Sequence, residues 1–309
     1  MFEEHVPLAR YSYYKIGGPA RYFYRPSTIE QLTEGVETAG RMGLPIFVLA
    51  GATNLLIHDQ GFAGLVLKPE LLGITRVGYA LEVGAGVPMH DVLEFAAEHG
   101  LAGLEWAGGL PGTLGGAIRG NAGAFRGEIK DAVATVTSVA TNEPYVNLRT
   151  RTASECEFGY RTSVFKGAAR KEIIIGATLV LRPGDPALIR EQMKEKITYR
   201  ALRHPLEYPN IGSIFKNVDW RAVPLEHQEL LRPHLKTDPF PVVPVAYLIS
   251  QTGLRGVANG GVMISPKHPN FIVNVLNGRA AEVRGLIQLV KESVGEKFGI
   301  QLEEEVVSV

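Results

Sequence analysis

Two glycine-rich stretches of this sequence have the composition of an anion-binding site. Residues 108–117 (GGLPGTLGGA) are too rich in glycine for a regular strand or helix, and residues 51–54 (GATN) form a second turn. Glycine permits positive φ and close approach of the backbone, so several amide groups of such a turn can point at one anion. Two such turns fit a diphosphate better than a single phosphate. The alternative is a pair of tight turns at sheet edges; the third glycine stretch at 120–124 favours a ligand.

The common nucleotide-binding patterns are incomplete here. Gly84 and Gly86 begin a GxGxxG pattern, but Met89 occupies its third glycine position, so the Rossmann fingerprint fails. The glycines at 112–116 are not followed by the Lys-Ser/Thr pair that a P-loop requires. A bound dinucleotide would therefore be held in a different fold, and FAD is the best candidate.

The composition excludes several classes of protein. The 309 residues carry 32 basic and 32 acidic side chains, and this zero formal charge argues against a general nucleic-acid or membrane-surface binder. A single cysteine, Cys156, excludes an intrachain disulfide and a CxxC site, and the histidines show no metal-type spacing. No apolar run is long enough to span a bilayer, and the N-terminus does not resemble a signal peptide. We expect a cytoplasmic protein without a catalytic metal.

The pattern of apolar residues and glycine predicts three segments. Residues 1–70 resemble a small α/β unit, with a helix that Ser27 caps and Glu30 closes as a capping box. Residues 71–186 combine strands with the glycine-rich stretch, and 187–309 form the third segment. Its region 205–244 holds seven of the 19 prolines and is predicted to be mainly loop. The predicted helices include 88–99, 187–203, 245–252 and 280–298, and the predicted strands include 46–50, 64–67, 81–83, 132–141, 173–181, 271–276 and 302–309.

Six motifs, in family order, resemble those of the UDP-N-acetylenolpyruvoylglucosamine reductases. They are IGGPA at 16–20, GATNLL at 51–56, EWAGGLPGT at 105–113 continuing to NAGA at 121–124, YRTSVF at 160–165, GSIFKN at 212–217 and LEEEV at 302–306. The ordered set is highly specific, whereas the first motif alone would be weak. The short path from Lys166 to Glu172 is similar to the type II branch. Val218 replaces the usual proline, and residues 218–244 are longer than the type II pattern.

The resemblance implies an α+β fold. A vanillyl-alcohol-oxidase-type (PCMH-type) FAD-binding domain of two subdomains, at 1–70 and 71–186, would precede a C-terminal α+β substrate-binding domain at 187–309. It also implies a reaction in peptidoglycan precursor synthesis. NADPH reduces non-covalently bound FAD, which then reduces UDP-N-acetylglucosamine enolpyruvate to UDP-N-acetylmuramate. The implied partners are these small molecules, with no nucleic acid and no membrane; the oligomeric state stays open.

The resemblance also assigns the residues of the site. Three side chains, Arg161, Ser213 and Glu305, are implied to be catalytic, and Lys216 and Asn217 are candidates for binding the substrate. The cofactor-binding positions are implied to be Ile16, Gly17, Gly51, Ala52, Thr53, Asn54, Leu55, Leu56, Gly109, Gly112, Thr113, Gly115, Gly116, Asn121, Ala122, Gly123 and Tyr160.

Each implied catalytic role has a chemical reason. Hydride addition to an enol ether places negative charge beside a carboxylate, and the guanidinium of Arg161 can stabilise both charges. The Ser213 hydroxyl would donate the proton, although a free hydroxyl is a poor acid and depends on its position. Glu305 would orient the substrate or assist that proton. Without the motifs, an ion pair is the usual explanation for Arg161, a turn hydroxyl is the preferred one for Ser213, and a solvated edge is a strong one for Glu305. Alternation alone does not distinguish Glu303 from Glu305.

Two other functions are compatible with parts of the sequence. A different flavoenzyme of the same fold would share the first 185 residues and lack the last three motifs. A non-catalytic nucleotide-sugar binding module would contain no flavin.

Overall fold

The computed structural model describes residues 2–141, 147–167, 172–238 and 240–309. These residues form two compact units. The first unit consists of 1–6, 20–51 and 63–200, and the second consists of 7–19, 52–62 and 201–309. The second unit therefore combines the C-terminal third of the chain with two short N-terminal segments. The boundaries at 70 and 186 stay a prediction, and part of the 166–172 path lies outside the described residues.

The first unit opens with a four-stranded sheet and one helix. The strands, in spatial order, are Glu3–Pro7, Pro19–Tyr24, Phe62–Leu67 and Ile46–Val48, and the last two are parallel. Helix α1, Ile29–Arg41, packs Leu32, Val36 and Ala39 into the core beneath this sheet.

The start of α1 corrects the predicted cap. The N-cap is Thr28, whose hydroxyl accepts from the amide of Gln31 at 3.2 Å, whereas Ser27 bonds the Gln31 side chain. Ser27 and Thr28 are both good N-caps, and the apolar face starting at Ile29 selects the second.

A five-stranded antiparallel sheet carries most of the first unit. Its strands, in spatial order, are Asn147–Thr152, Val133–Ala140, Glu172–Val180, Ala80–Gly84 and Ile74–Val77. Helices α2 (Met89–Glu98), α3 (Leu114–Arg119) and α4 (Pro186–Arg203) follow, and α4 is in this unit up to Arg200. Two short pairs, Gly123–Ala124 with Gly127–Glu128 and Leu101–Ala102 with Arg182–Pro183, complete the unit.

Helix α3 contradicts one expectation. Residues 108–117 were expected to be too rich in glycine for regular structure, yet Gly115 and Gly116 lie inside this helix. Gly115 packs closely against Ala85: a Cβ on Gly115 would lie 2.9 Å from the Cβ and 3.1 Å from the carbonyl oxygen of Ala85. Glycine destabilises a helix relative to alanine, but at this position it allows the close packing.

The second unit contains three helices and a small sheet. The helices are α5 (Leu225–Leu231), α6 (Val245–Gln251) and α7 (Ala280–Phe298), and the three-stranded sheet is Ala258–Asn259, Val262–Ile264 and Ile272–Asn274. Two further pairs are Val218–Asp219 with Val242–Val243 and Leu55–Leu56 with Val307–Ser308, the latter parallel. The core packs Tyr14, Ile16 and Leu56 against the C-terminal residues.

One prediction for the second unit was right and one was wrong in detail. The proline-rich region 205–244 is mainly loop, as predicted, and contains the short helix α5. The predicted strand at 302–309 is reduced to Val307–Ser308 and a single bridge between Glu304 and Phe215. Within the described residues no helix has the length and apolar character needed to cross a bilayer, and no group of three or more metal-ligating side chains is found.

Candidate active site

Gly51 and Gly112, one from each glycine-rich stretch, approach each other in the first unit. A Cβ on Gly51 would lie 2.5 Å from the Cα of Gly112, and Gly112 and Gly109 have φ of +101° and +72°. Gly116 lies beside Ala50, with 3.5 Å between the virtual Cβ of Gly116 and the Cβ of Ala50. Only glycine allows this backbone approach, so the packing of the two turns explains part of their composition.

The same turns retain polar capacity for a ligand. The amides of Leu114 and Gly115 donate to the carbonyls of Val87 and Ala85, both at 2.9 Å, and are therefore used by the fold. In contrast, the buried hydroxyl of Thr113, the residue after Gly112, has no hydrogen-bond partner among the described residues. Buried polar groups are normally satisfied, so the orphan Thr113 hydroxyl fits a bound phosphate-containing group.

We expect Gly51→Ala to yield protein that purifies largely without flavin. The added methyl would collide with the Gly112 backbone, and overpacking of this kind costs about 1–3 kcal/mol. The measurement is the ratio of flavin to protein absorbance, together with thermal unfolding.

Gly40→Ala is the matched control for this substitution. Gly40 lies in α1, and a Cβ there would have no heavy atom within 4 Å. This variant should keep its flavin and gain about 0.5–1 kcal/mol of stability. Equal flavin occupancy in the two variants would contradict a role of the Gly51–Gly112 contact in cofactor binding.

Arg161 lies at the centre of a tight turn in the first unit. Gly159 and Thr162 close the turn through two backbone hydrogen bonds of 3.1 and 3.2 Å, and Arg161 has φ of +56°. The guanidinium Nη2 donates to the carbonyl of Gly123 at 2.8 Å and lies over the Tyr160 ring at 5.3 Å. A left-handed conformation is unusual for arginine, and such outliers cluster at functional sites.

Asn121 holds this turn in place. The fully buried side chain donates to the carbonyl of Gly159 at 3.0 Å and to Glu128 at 3.2 Å, and it accepts from the amide of Lys130 at 3.3 Å. Its polar atoms are thus used within the protein. Asn121 and Gly123, both expected to contact the cofactor, position the Tyr160–Arg161 turn in this structure, and a direct contact with the cofactor stays a prediction. Ala122 joins the end of α3 through hydrogen bonds with Ala117 and Ile129.

A second guanidinium, Arg200 of α4, lies near Arg161. Its Nε donates to the carbonyl of Gly108 at 2.9 Å, and the group lies over the Phe125 ring at 5.3 Å. Its buried Nη2 has no partner among the described residues. Burial, and then the charge of Arg161, lowers the pKa of Arg200. Two guanidinium groups at one place favour an anionic ligand. No motif surrounds Arg200 in the sequence, so nothing there indicates this role.

We expect Arg200→Met to raise the KM of the anionic substrate by about 10- to 100-fold, the equivalent of one hydrogen bond to a charged group. The variant loses the bond to Gly108, but it also removes a buried charge beside Arg161, so the melting temperature should change little. Steady-state kinetics and thermal unfolding test both expectations.

Lys196→Met is the control, because Lys196 lies over the same Phe125 ring at 5.4 Å but pairs with Glu195. An equal rise of KM in both variants would show that Arg200 acts only through packing on Phe125.

Ser213 and Glu305 come together in the second unit. The amide of Glu305 donates to the carbonyl of Ile214 at 2.8 Å, and Phe215 forms a bridge with Glu304. The backbones that bear the two side chains therefore run side by side. The Ser213 hydroxyl forms no hydrogen bond within the described part of the chain, and Gly212, with φ of +78°, turns the backbone just before it.

The three consecutive glutamates, 303–305, have different partners in the structure. Glu303 pairs with Lys216, and Glu304 pairs with Lys291 of α7. The backbone of Glu305 is held from a second side, because the Asn54 amide donates to its carbonyl at 3.0 Å. Glu303 and Glu304 are thus engaged in ion pairs, and the catalytic role of Glu305 stays a prediction from the motif.

The remaining predicted residues of the second unit lie in or beside its core. Asn217 accepts from the amide of Val245 at 3.2 Å, so one end of its side chain is used at the start of α6. Gly17, with φ of +141°, packs against Ile57, and a Cβ there would lie 2.9 Å from the Ile57 Cβ. The others are distributed between the core (Ile16, Ala52 and Leu56) and partly exposed positions (Thr53 and Leu55).

Comparisons with known proteins identify the class and then the family. Residues 20–148 match the model of an FAD binding domain, and residues 204–309 match the C-terminal domain of UDP-N-acetylenolpyruvoylglucosamine reductase. The chain is therefore a flavoprotein with a two-subdomain FAD-binding fold and an α+β C-terminal domain, as the motifs predicted.

Relatives cover nearly the whole chain. The UDP-N-acetylenolpyruvoylglucosamine reductase of Lactococcus lactis subsp. cremoris is 38% identical over 97% of this chain and 92% of its own length. That of Exiguobacterium sibiricum is 37% identical over 97% and 90%. The crystal structure of the Thermus caldophilus enzyme covers 100% of this chain and 99% of its own, with a TM-score of 0.78 and 29% identity. The chain belongs to the family of UDP-N-acetylenolpyruvoylglucosamine reductases, which are oxidoreductases.

Proposed function

We propose that this flavoenzyme reduces UDP-N-acetylglucosamine enolpyruvate to UDP-N-acetylmuramate, with NADPH as electron donor and Ser213 as proton donor. The observation that carries the proposal is the paired backbone of Ser213 and Glu305, with the amide of Glu305 bonded to Ile214 at 2.8 Å. This pairing supports joint action of a hydroxyl and a carboxylate on one substrate. We further propose that the enzyme acts in the cytoplasm, where NADPH and nucleotide sugars are available.

The glycine turns and Thr113 would hold the cofactor. The orphan hydroxyl of Thr113 and the close approach of Gly51 to Gly112 fit a phosphate-containing ligand. When bound, FAD would accept a hydride from NADPH and, in its reduced form, supply one to the substrate.

Arg161 would bind the carboxylate of the enolpyruvyl group. A new C–H bond forms at the methylene carbon, and the electrons of the C=C bond move to the carbon that bears the ether oxygen and the carboxylate. The resulting enolate carries a second negative charge. A fixed guanidinium stabilises that charge most where it develops, in the transition state. The bond from Arg161 to the carbonyl of Gly123 holds the guanidinium in place.

Ser213 would complete the reaction by transferring its proton to the same carbon. An ordinary hydroxyl is a weak acid, so its contribution depends on a fixed position close to the carbanionic carbon. Glu305, on the adjacent backbone, would orient the substrate or assist the proton transfer, and the serine alkoxide regains a proton from water.

The test is an anaerobic titration of the purified protein. We expect a flavin spectrum, bleaching on addition of NADPH, and recovery of the flavin absorbance when the enolpyruvyl substrate is added. Bleaching without recovery would indicate a flavoenzyme with a different substrate. A colourless protein that takes up no added FAD would indicate a nucleotide-sugar binding module.

A further inference from the structure

The segment that carries Ser213 lies between two unlike neighbours in the second unit. On one side lies the backbone at 303–306, where the amides of Glu305 and Lys216 bond across at 2.8 and 2.9 Å. On the other side, within the described part of the chain, Asn270 takes the place of a strand. It lies in the loop between Ile264 and Ile272.

Asn270 makes three hydrogen bonds to the two residues after Ser213. Its carbonyl accepts from the amide of Ile214 at 2.8 Å. Its side-chain Oδ1 accepts from the amide of Phe215 at 3.0 Å, and Nδ2 donates to the carbonyl of Phe215 at 2.9 Å. The side-chain amide thus pairs with both polar groups of one peptide residue, as a neighbouring strand would.

Burial makes these bonds obligatory. Asn270 is 3% exposed, and Ile214 and Phe215 are each 1% exposed, so water cannot replace a missing partner. An unsatisfied buried amide or carbonyl would drive the segment to move. The loop that carries Asn270 is itself fixed, because the hydroxyl of Ser265 accepts from the amides of Lys267 and His268, both at 3.2 Å.

We propose that Asn270 is a positioning residue that sets the location of the Ser213 hydroxyl for proton transfer. The inference rests on the proposed role of Ser213, and Asn270 itself touches no reacting atom. A displacement of about 1 Å at a catalytic group can cost ~100-fold in rate. The Asn270 side chain is therefore required for the second half-reaction, in which the substrate is reduced and protonated, and not for reduction of the flavin by NADPH.

The test compares both half-reactions in Asn270→Asp by stopped-flow absorbance. The ionised carboxylate repels the carbonyl of Phe215, whereas the protonated form donates an O–H to it and restores the pairing. Burial raises the pKa of an introduced carboxyl. We expect flavin oxidation by the substrate to be slowed ~100-fold at pH 8 and to recover as the pH falls towards 6, with flavin reduction by NADPH unchanged. Neighbouring titratable groups are Lys216, Glu305 and His268, so the wild-type pH profile is recorded in parallel.

Asn274→Asp is the matched control. This buried asparagine also bridges an amide and a carbonyl, those of Gly278 and Tyr14, at 2.7 and 2.9 Å, without contacting the Ser213 segment. Asn274→Asp should change the rates of flavin reduction and flavin oxidation by the same factor. A proportional loss in Asn270→Asp, or a second half-reaction that is unaffected at pH 8, would overturn the proposal.

A double variant covers the case in which Asn270→Asp does not fold. If Asn270 acts through Ser213, adding Asn270→Ser to Ser213→Ala should slow flavin oxidation no further than Ser213→Ala alone. Additive losses would contradict the proposal. Failure of the wild-type protein to be reoxidised by the substrate would instead reject the proposed function.

Discussion

Ser213→Ala is expected to reduce its flavin with NADPH at the wild-type rate and to slow the reoxidation of that flavin by the enolpyruvyl substrate by about 10²- to 10⁴-fold, the usual contribution of a positioned general acid. The proton of Ser213 is needed only after hydride has reached the substrate. Both rates are measured anaerobically by stopped-flow absorbance, with the binding of the substrate measured separately.

Ser250→Ala is the control for the loss of a serine hydroxyl. The Ser250 hydroxyl donates to the carbonyl of Tyr247 at 2.7 Å inside α6. Its loss should leave both half-reactions within a few-fold of wild type, because a helical serine bonded to its own turn contributes little. Equal losses of both rates in Ser213→Ala would mean that the hydroxyl shapes the pocket and is not the proton donor.

Arg161→Lys is expected to slow the second half-reaction by about 10²- to 10³-fold, comparable with the loss of one oxyanion donor. Lysine keeps the charge but cannot donate to the carbonyl of Gly123 and bind both oxygens of a carboxylate at once. Because the lost interaction strengthens as the enolate forms, the rate constant should fall more than the substrate affinity. Single-turnover kinetics separate the two quantities.

Arg126→Lys controls for the backbone conformation. Arg126 also has positive φ, at +67°, but its side chain is exposed. It lies in the turn between the short strands Gly123–Ala124 and Gly127–Glu128. Its replacement should leave both half-reactions unchanged. A rate constant that is unaffected in Arg161→Lys, with a weakened substrate affinity alone, would restrict Arg161 to ground-state binding.

The sequence predicted the elements that have a strong local signal. Helix α7 has the predicted bounds, 280–298, because its apolar face is regular and Gly299, with φ of +62°, ends it. The strands at 133–140 and 172–180 lie within two residues of the prediction. The cap of α1 was misplaced by one residue because Ser27 and Thr28 are both good caps.

The parts that the sequence did not predict depend on distant contacts. Glycines 115 and 116 are helical because α3 packs closely against Ala85, which local composition cannot indicate. The roles of Asn121 and Asn270 depend on residues 38 and 55 positions away, respectively. Arg200 approaches Arg161 only through the fold, and a helix with polar residues on most of its faces gives no sign of it.

The second unit is assembled from segments that are far apart in the chain, and this affects how it folds during synthesis. The strand Val307–Ser308 pairs with Leu55–Leu56, and the amide of His58 donates to the carbonyl of Val309 at 2.6 Å. Domains generally fold as the ribosome produces them, from the N-terminus. Here the segment at 52–62 has no native partner until residues 307–309 have left the exit tunnel. An isolated fragment starting near residue 204 would also lack that segment, so complementation with a separate N-terminal fragment is the way to reconstitute it.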